Sequence, residues 1–156
     1  MEKARKTLQI SREESELVSQ LRVHPHRVNI EHSFYEDYAI RGIRVDRVEP
    51  GFVSCTFKVP SRLTDRSGNL CNGAIANLVD EVGAVLVQVA GLPMNVSVDM
   101  SICFLSTAKD ELEVTSRLLG QKGRYSGTIV LLKNKATGEL IAEGRHSLFG
   151  QHRSKI

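Results

Sequence analysis

The longest run of hydrophobic positions in this chain lies near its middle, at residues 74–90, and it is apolar nearly all round. Polar or charged side chains interrupt this run only at Asn77, Asp80, Glu81 and Gln88. A helix that is hydrophobic on every side belongs in a core, so the pattern predicts one long buried helix. A polar, glycine-containing loop at residues 63–73 precedes the helix, and Gly91 and Pro93 end it.

After this helix, apolar and polar residues alternate, which is typical of β-strands. In residues 95–104 the alternation places Val96, Val98 and Met100 on one face and Ser97 and Asp99 on the other. Further strands are predicted at residues 111–119, 125–133 and 140–149. The predicted turns between them are Gln121-Lys-Gly123 and Asn134-Lys-Ala-Thr-Gly138.

The part of the chain before the loop predicts helices and then a hairpin. A capping-box spacing in Ser11-Arg-Glu-Glu14, followed by apolar residues at helical intervals, predicts a helix over residues 11–23. A short helical turn is expected around residues 34–38. Two strands follow, at residues 40–49 and 52–59, and Pro50-Gly51 forms the turn between them.

This order of elements predicts an α+β fold: a curved antiparallel sheet wrapped around one long buried helix, with an extra N-terminal helix. We divide the chain into an N-terminal helical extension (1–39), one α+β domain (40–150) and a short C-terminal tail (151–156). A chain of 156 residues cannot cover both faces and the edges of such a sheet. We therefore expect copies of the chain to associate.

Composition narrows the class of protein. A hydrophobic content of 41% and a charged content of 25% are ordinary for a soluble globular protein. The net charge of +3 is spread along the chain and aromatic residues make up only 5%, so we expect no nucleic-acid binding. No segment is long and uncharged enough to predict membrane insertion. The cysteines and histidines lack metal-binding spacing, so we predict no metal site and reduced, intracellular thiols.

Two carboxylates, Asp80 and Glu81, lie inside the apolar helix. Burying an ionised carboxylate costs several kcal/mol unless it is paired, so such a residue is either a structural element or a site of chemistry. Consecutive helical residues differ in direction by about 100° and cannot both face one site. Both readings of Asp80 stay open on the pattern alone.

Several motifs in a fixed order resemble one known family, and they span roughly residues 40–149. They are Gly68-Asn-Leu-Cys-Asn-Gly73 leading into Asp80, Val96-Ser-Val-Asp-Met100, Ala108-Lys109, Asn134-Lys-Ala-Thr-Gly138 and Gly144-Arg-His146. In these residues the chain resembles the hotdog-fold acyl-CoA thioesterases of the phenylacetate-degradation and thioesterase-superfamily-member-2 type. The resemblance implies a hotdog fold and hydrolysis of a fatty or aryl acyl-CoA to the free acid and CoA.

The resemblance also implies roles for particular residues. Asp80 matches the carboxylate that activates water or attacks the thioester carbonyl, and Ser97 matches a serine that helps to hold it. The backbone N–H groups of Asn72 and Gly73, at the helix start, match the clamp for the carbonyl oxygen, where helix geometry and dipole favour negative charge. Glu81 is then a structural or interface acid.

The chain departs from the family pattern in the loop before the helix. Cys71 replaces a histidine, Asn72 replaces the clamp glycine, and Asp65 replaces an asparagine or glutamine. An anion close to a developing oxyanion would oppose it, so Asp65 must be protonated, turned away, or an additional acid or base. Cys71 could itself act as a thiol nucleophile, but the sequence places no histidine to activate it.

For the CoA part of the substrate, the resemblance suggests contacts with Asp99, Lys109 and the segment Gln121, Lys122, Gly123, Arg124 and Tyr125, at one end of the sheet. No separate cofactor is implied, because CoA belongs to the substrate. The family forms homodimers, often paired into homotetramers, with active sites at the dimer interface. Arg145 and His146 match a family motif without an assigned role.

Two other functions stay open. The changes at Asp65, Cys71 and Asn72 favour a catalytically silent acyl-CoA-binding or scaffold protein. A hotdog dehydratase or hydratase is a weaker alternative, because those enzymes pair a carboxylate with a histidine and Cys71 replaces that histidine. The final residues Ser154-Lys155-Ile156 differ only at the last position from a peroxisomal targeting tripeptide, so we expect a peroxisomal location, or otherwise a cytoplasmic one.

Overall fold

The structure is a computed structural model that describes residues 2–9, 12–21, 33–91 and 95–150. It divides the chain into two compact units, Met1–Asp37 and Tyr38–Ile156. The helices before the sheet are α1 (Glu2–Leu8), α2 (Arg12–Ser19) and α3 (Phe34–Ile40). The predicted N-terminal helix is present as α2 but ends at Ser19, and α1 was not predicted.

The second unit contains an antiparallel six-stranded sheet with strand order β1-β2-β4-β5-β6-β3. The strands are β1 (Ile43–Glu49), β2 (Phe52–Lys58), β3 (Asn95–Phe104), β4 (Glu111–Lys122), β5 (Tyr125–Asn134) and β6 (Leu140–Gly150). A short 3-10 helix, η1 (Ser61–Leu63), follows β2, and the long helix α4 spans Asn72–Val89. The predicted α+β architecture is confirmed.

One side of α4 packs against the sheet and forms the hydrophobic core. Side chains that are almost fully buried come from the helix and from four strands: Ile75, Leu78, Val79, Val82, Phe57, Val114, Leu132 and Ile141. Burial of each such side chain contributes about 1.5–3 kcal/mol. The opposite side of α4 is only half-buried in the single chain, at Ala76, Asn77, Asp80, Glu81, Ala84 and Val85.

The helix lies unusually close to β6 because β6 carries a glycine opposite it. A Cβ atom placed on Gly144 would lie 2.5 and 2.6 Å from the two γ-carbons of Val79. No side chain fits in that space, so Gly144 sets the distance between the helix and the sheet. This close approach brings the middle of α4 within reach of other β6 side chains.

Strand β3 does not alternate as its sequence predicts. Ser97 pairs with Leu148, Asp99 pairs with Ser147, and Val98 is the extra residue of a β-bulge between them. Because the bulge inserts one residue, Ser97 lies on the same face as Met100, the face that meets α4. The prediction that Ser97 shares a face with Asp99 is therefore wrong.

Candidate active site

Asp80 lies in the middle of α4, on the half-buried side of the helix, with 41% of its side chain exposed. Ser97 Oγ donates a hydrogen bond of 2.8 Å to Asp80 Oδ1. The bulge in β3 makes this contact, since a regular strand would point Ser97 away from the helix. The predicted pairing of Asp80 with Ser97 is thus present in the structure.

His146 is the third member of this cluster, and it comes from β6. Its imidazole is fully buried, and Nε2 lies 2.9 Å from Ser97 Oγ and 3.2 Å from Asp80 Oδ1. Since the Ser97 hydroxyl donates to Asp80, the hydrogen-bond network assigns the proton between His146 and Ser97 to Nε2. The direction of donation is therefore from His146 to Ser97 to Asp80.

Burial keeps His146 neutral. It lowers the pKa of the imidazole below the ordinary value of 6.5, and the charge of Asp80 opposes this only in part. The other ring nitrogen, Nδ1, is buried without a hydrogen-bond partner, which suits an unprotonated nitrogen better than an N–H group. His146 is consequently a donor toward the site and has no free Nε2 lone pair to act as a base.

A second glycine makes room for the imidazole. A Cβ atom placed on Gly83, one turn beyond Asp80 in α4, would lie 2.7 Å from His146 Nδ1 and 3.0 Å from Thr128 Oγ1. Any side chain at Gly83 would push against the ring. The glycine therefore permits the position of His146 that brings its Nε2 to Ser97 and Asp80.

The contacts within this cluster orient the Asp80 carboxylate. Ser97 and His146 both meet the same oxygen, Oδ1, and together they fix the rotation of the carboxylate. The second oxygen, Oδ2, is then the one available to take a proton from water or to attack a carbonyl carbon. Because 41% of the Asp80 side chain is exposed, a substrate can approach the carboxylate.

The start of α4 provides hydrogen-bond donors. Cys71 is the N-cap residue, with extended backbone angles and no capping side-chain bond, and Asn72 and Gly73 begin the helix. The first N–H groups of a helix have no partner within it, and both residues are exposed here. At a rise of 1.5 Å per residue these donors are about 11 Å from Asp80 along the helix axis, too far to hold the same carbonyl group.

Asp65 is turned toward its own loop. Its Oδ1 accepts hydrogen bonds from the backbone N–H groups of Ser67 (2.8 Å) and Asn69 (2.9 Å). These bonds, with Asn69 as the largest influence, lower the pKa of Asp65 below 3.8, so it is ionised. The structure therefore shows an Asp65 carboxylate that is bonded within its own loop and helps to fold it.

The residues expected to contact CoA lie at opposite ends of β4. Lys109 precedes the strand and is near Asp65, whereas Gly123 and Arg124 form the tight turn after Lys122. Twelve residues of strand separate the ends by about 35 Å. The prediction that these residues share one end of the sheet is wrong, because antiparallel neighbours place successive connections at alternate ends.

Other predicted CoA contacts also differ in place. Gln121 and Lys122 belong to β4 and Tyr125 begins β5, so the predicted turn is shifted along the chain. Arg124 donates from Nε to the Gly150 carbonyl (2.6 Å) and stacks 4.5 Å from the centre of the Phe149 ring. Asp99 pairs with Ser147 on the face of the sheet opposite Ser97.

His146 is the site residue whose role the sequence did not reveal. A usable signal was present: in β6, His146 alternates with Gly144 and Leu148, which places it on the buried face. Within the described residues there is no group of three or more histidine, cysteine, aspartate or glutamate side chains that could hold a metal ion. None of the described helices is long and apolar enough to cross a membrane.

Comparison with known proteins agrees with the resemblance seen in the motifs. No family model matches the chain. Human acyl-coenzyme A thioesterase 13 is 43% identical over 102 residues, which are 63% of this chain and 72% of the human protein. The mouse protein of the same name is 36% identical over 115 residues, 71% of this chain and 81% of its own length.

A solved structure extends this similarity to three dimensions. The crystal structure of zebra fish thioesterase superfamily member 2 superposes with a TM-score of 0.67 at 34% identity, covering 73% of this chain and 86% of that protein. The sequence identity and the shared fold lead to one conclusion. The chain belongs to the hotdog-fold acyl-CoA thioesterase family of acyl-coenzyme A thioesterase 13 and thioesterase superfamily member 2.

Proposed function

We propose that this protein hydrolyses acyl-CoA thioesters to a free acid and CoA. The observation that carries the proposal is the Asp80 carboxylate, whose Oδ1 is held by Ser97 and His146 on a half-exposed helix face. A carboxylate held through one oxygen, on a side chain that is 41% exposed, suits general-base or nucleophilic chemistry. Membership of the thioesterase family gives the substrate class.

In the proposed reaction, the thioester carbonyl oxygen accepts hydrogen bonds from the N–H groups of Asn72 and Gly73. Asp80 Oδ2 removes a proton from a water molecule, and the water oxygen attacks the carbonyl carbon. The tetrahedral intermediate then collapses, the carbon–sulfur bond breaks, and the proton passes to the leaving CoA sulfur. Attack by Oδ2 itself, followed by hydrolysis of the anhydride, uses the same groups.

The proposal requires two subunits, because the clamp and the base of one α4 are about 11 Å apart. Two surfaces of the described residues that suit a homodimer are the half-buried side of α4 and the edge strand β3. Apolar side chains are exposed on this strand at Val96 (40%), Val98 (52%) and Met100 (39%). We propose a homodimer, or a homotetramer of two such dimers, in which Asn72 and Gly73 of one subunit face Asp80 of the other.

CoA would then be held by residues of both subunits. Lys109, beside the loop that carries the clamp, and the β4–β5 turn at Gly123 and Arg124 lie at opposite ends of one chain, so each CoA would use Lys109 from one subunit and the turn from another. Positive groups at both places suit the phosphates of the nucleotide. No metal or redox cofactor has a part in this reaction.

The buried state of His146 argues against a dehydratase or hydratase. Such an enzyme needs an imidazole that touches the substrate, and the His146 side chain has no exposed surface. Its Nε2 reaches only as far as Ser97 and Asp80. His146 therefore orients the Asp80 carboxylate and does not contact the substrate.

An assay with short, long and aromatic acyl-CoAs tests the function through release of the free thiol. We expect turnover by the wild-type protein and a loss of roughly 100-fold or more in Asp80→Asn, since general-base catalysis contributes about 10²–10⁴-fold. The control is Glu49→Gln, an exposed carboxylate at the end of β1 that pairs with Arg47. Tight acyl-CoA binding without release in the wild-type protein would instead establish a silent acyl-CoA-binding protein.

For the location in the cell we retain the peroxisomal proposal, and with it a role in lipid metabolism. The tripeptide Ser154-Lys155-Ile156 that supports it lies outside the described residues. A fluorescent protein fused ahead of the native tail should accumulate in peroxisomes. Deletion of the three residues should leave it diffuse, and an unchanged diffuse signal before deletion would refute import.

A further inference from the structure

Arg62 joins the end of α3 to the loop that leads into α4. Its Nε donates a hydrogen bond of 2.7 Å to the Tyr38 carbonyl, and its Nη2 donates to the Arg41 carbonyl. Carbonyl groups at the end of a helix lack partners within it and carry the negative end of the helix dipole, so a guanidinium suits this position.

The contact is reciprocal. The Tyr38 hydroxyl donates to the Arg62 carbonyl (3.1 Å), and the guanidinium carbon lies 6.0 Å from the centre of the Tyr38 ring. Tyr38 and Arg62 therefore each bond to the main chain of the other. Two hydrogen bonds fix the relative position of these residues, which are 24 positions apart in the sequence, and the bond to Arg41 is a third.

A short path connects this contact with the proposed carbonyl clamp. Arg62 is the middle residue of η1, and the next residue, Leu63, is buried in the core. The Leu63 carbonyl accepts a hydrogen bond of 2.9 Å from the N–H group of Cys71, the N-cap residue of α4. The next N–H groups along the chain are those of Asn72 and Gly73.

Other interactions of this loop are either backbone hydrogen bonds between buried residues or bonds within the loop itself. Leu70 donates from its N–H to the Ala108 carbonyl (2.9 Å), and both residues are buried. Asp65 folds the loop tip through bonds within the tip itself. Arg62 directly precedes the loop, and its half-buried side chain bonds the start of the loop to the end of α3.

We propose that Arg62 is a positioning residue for the thioester carbonyl clamp: by fixing η1 to the end of α3, it holds Cys71 and the N–H groups of Asn72 and Gly73 in the geometry that binds the oxyanion. The proposal rests on the proposed hydrolysis. Oxyanion donors act only within a few tenths of an ångström of their working position, so loosening one end of the loop reduces turnover. Arg62 does not touch the substrate in this role.

The test compares Arg62→Met, Arg62→Lys and Tyr38→Phe with the wild-type protein. In Arg62→Met we expect kcat to fall about 10-fold while KM changes less than twofold, because the effect is on transition-state geometry. Arg62→Lys keeps one charged donor and should recover part of the loss. Tyr38→Phe removes a single hydrogen bond and should give a smaller loss.

Amide hydrogen exchange gives a readout independent of activity. We expect the Cys71 amide, which donates to the Leu63 carbonyl, to exchange at least several-fold faster in Arg62→Met, with exchange in the central strand β5 unchanged. The control is Arg47→Met, an arginine of the outer sheet face that pairs with Glu49 and should change neither measurement.

Two results would overturn the role of Arg62. One is unchanged exchange at the Cys71 amide in Arg62→Met, and the other is faster exchange throughout the domain, which would indicate a general loss of stability. Failure of the wild-type protein to hydrolyse any acyl-CoA would refute the proposed function instead, and amide exchange would still decide whether Arg62 fixes the start of α4.

Discussion

Gly83 and His146 are in direct contact across the interface between α4 and β6, with space for a hydrogen atom but not for a methyl group. Since the imidazole orients Ser97 and Asp80, a backbone position in the helix controls the geometry of the carboxylate. The contact explains how a glycine in the middle of a helix, normally unfavourable by about 1 kcal/mol relative to alanine, is accommodated here.

Replacement of Gly83 by alanine should therefore reduce turnover. The added methyl group would meet His146 Nδ1 at 2.7 Å and displace the ring, and overpacking of this kind costs about 1–3 kcal/mol. We expect a lower kcat and a net loss of stability in spite of the better helix propensity. Thermal unfolding and steady-state kinetics measure the two effects. Gly73→Ala, where no atom lies within 4 Å of the new Cβ, is the control for stability.

Removal of the Ser97 hydroxyl should slow hydrolysis without unfolding the protein. Ser97→Ala deletes the 2.8 Å hydrogen bond to Asp80 Oδ1 and leaves the carboxylate free to rotate. A hydrogen bond to a charged group contributes about 1.5–3 kcal/mol, and since Asp80 is partly exposed we expect a loss near the lower end, about tenfold in kcat. Ser101→Ala, on the opposite face of β3, should match the wild type. Equal kinetics in the two variants would contradict the role of Ser97.

Stability should fall in mild acid because of His146. Its pKa is lowered by burial in the folded protein, whereas the unfolded chain has the ordinary value of 6.5. The unfolded state therefore binds the proton more tightly, and the free energy of unfolding decreases as pH falls below 6.5. Denaturation by urea from pH 8 to pH 5 measures the slope. His146→Gln, which keeps a donor but does not titrate, should have a smaller slope, and an identical slope would exclude His146 as the cause.

Loss of the Asp65 carboxylate should loosen the loop. Asp65→Asn keeps an oxygen that can accept from Ser67 and Asn69, whereas Asp65→Ala removes both bonds. We expect faster amide exchange at Ser67 and Asn69 and reduced kcat in the alanine variant, with little change in the asparagine variant. If instead Asp65→Asn raised kcat strongly, the carboxylate would be acting against the oxyanion.

The contact between Gly144 and Val79 gives a prediction about stability alone. Gly144→Ala would place a methyl group within 2.6 Å of both Val79 γ-carbons, and we expect destabilisation of about 2–3 kcal/mol. Val79→Ala creates space at the same point. The double variant should therefore be more stable than the sum of the two single changes predicts, as a double-mutant cycle would show.

The sequence predicted those helices and strands whose hydrophobic pattern extends over many residues. The apolar run gave α4, alternation gave the strands, and the family motifs identified Asp80 and Ser97. The bulge at Val98 escaped prediction because a single inserted residue leaves the alternation of β3 intact in the sequence while it reverses the faces in the sheet. The role of His146 depends on a contact between α4 and β6, which local patterns do not contain.

The relative position of the residues predicted to contact CoA was wrong for a related reason. Lys109 and Arg124 are near in sequence, but an entire strand lies between them. The sequence could not predict the orientation of the Asp65 side chain, because an aspartate at this position can face either the substrate carbonyl or its own loop. Only the bonds from Ser67 and Asn69 decide it.

The neutrality of His146 has a consequence for release of the product. A protonated imidazole beside Asp80 would cancel the negative charge of the carboxylate, whereas the buried neutral ring leaves that charge in place. Thioester hydrolysis converts an uncharged carbonyl group into a carboxylate at the same point. In the proposed reaction the substrate therefore enters without electrostatic opposition at its reacting carbon, and the acid formed there is repelled by Asp80, which favours departure and opposes inhibition by product.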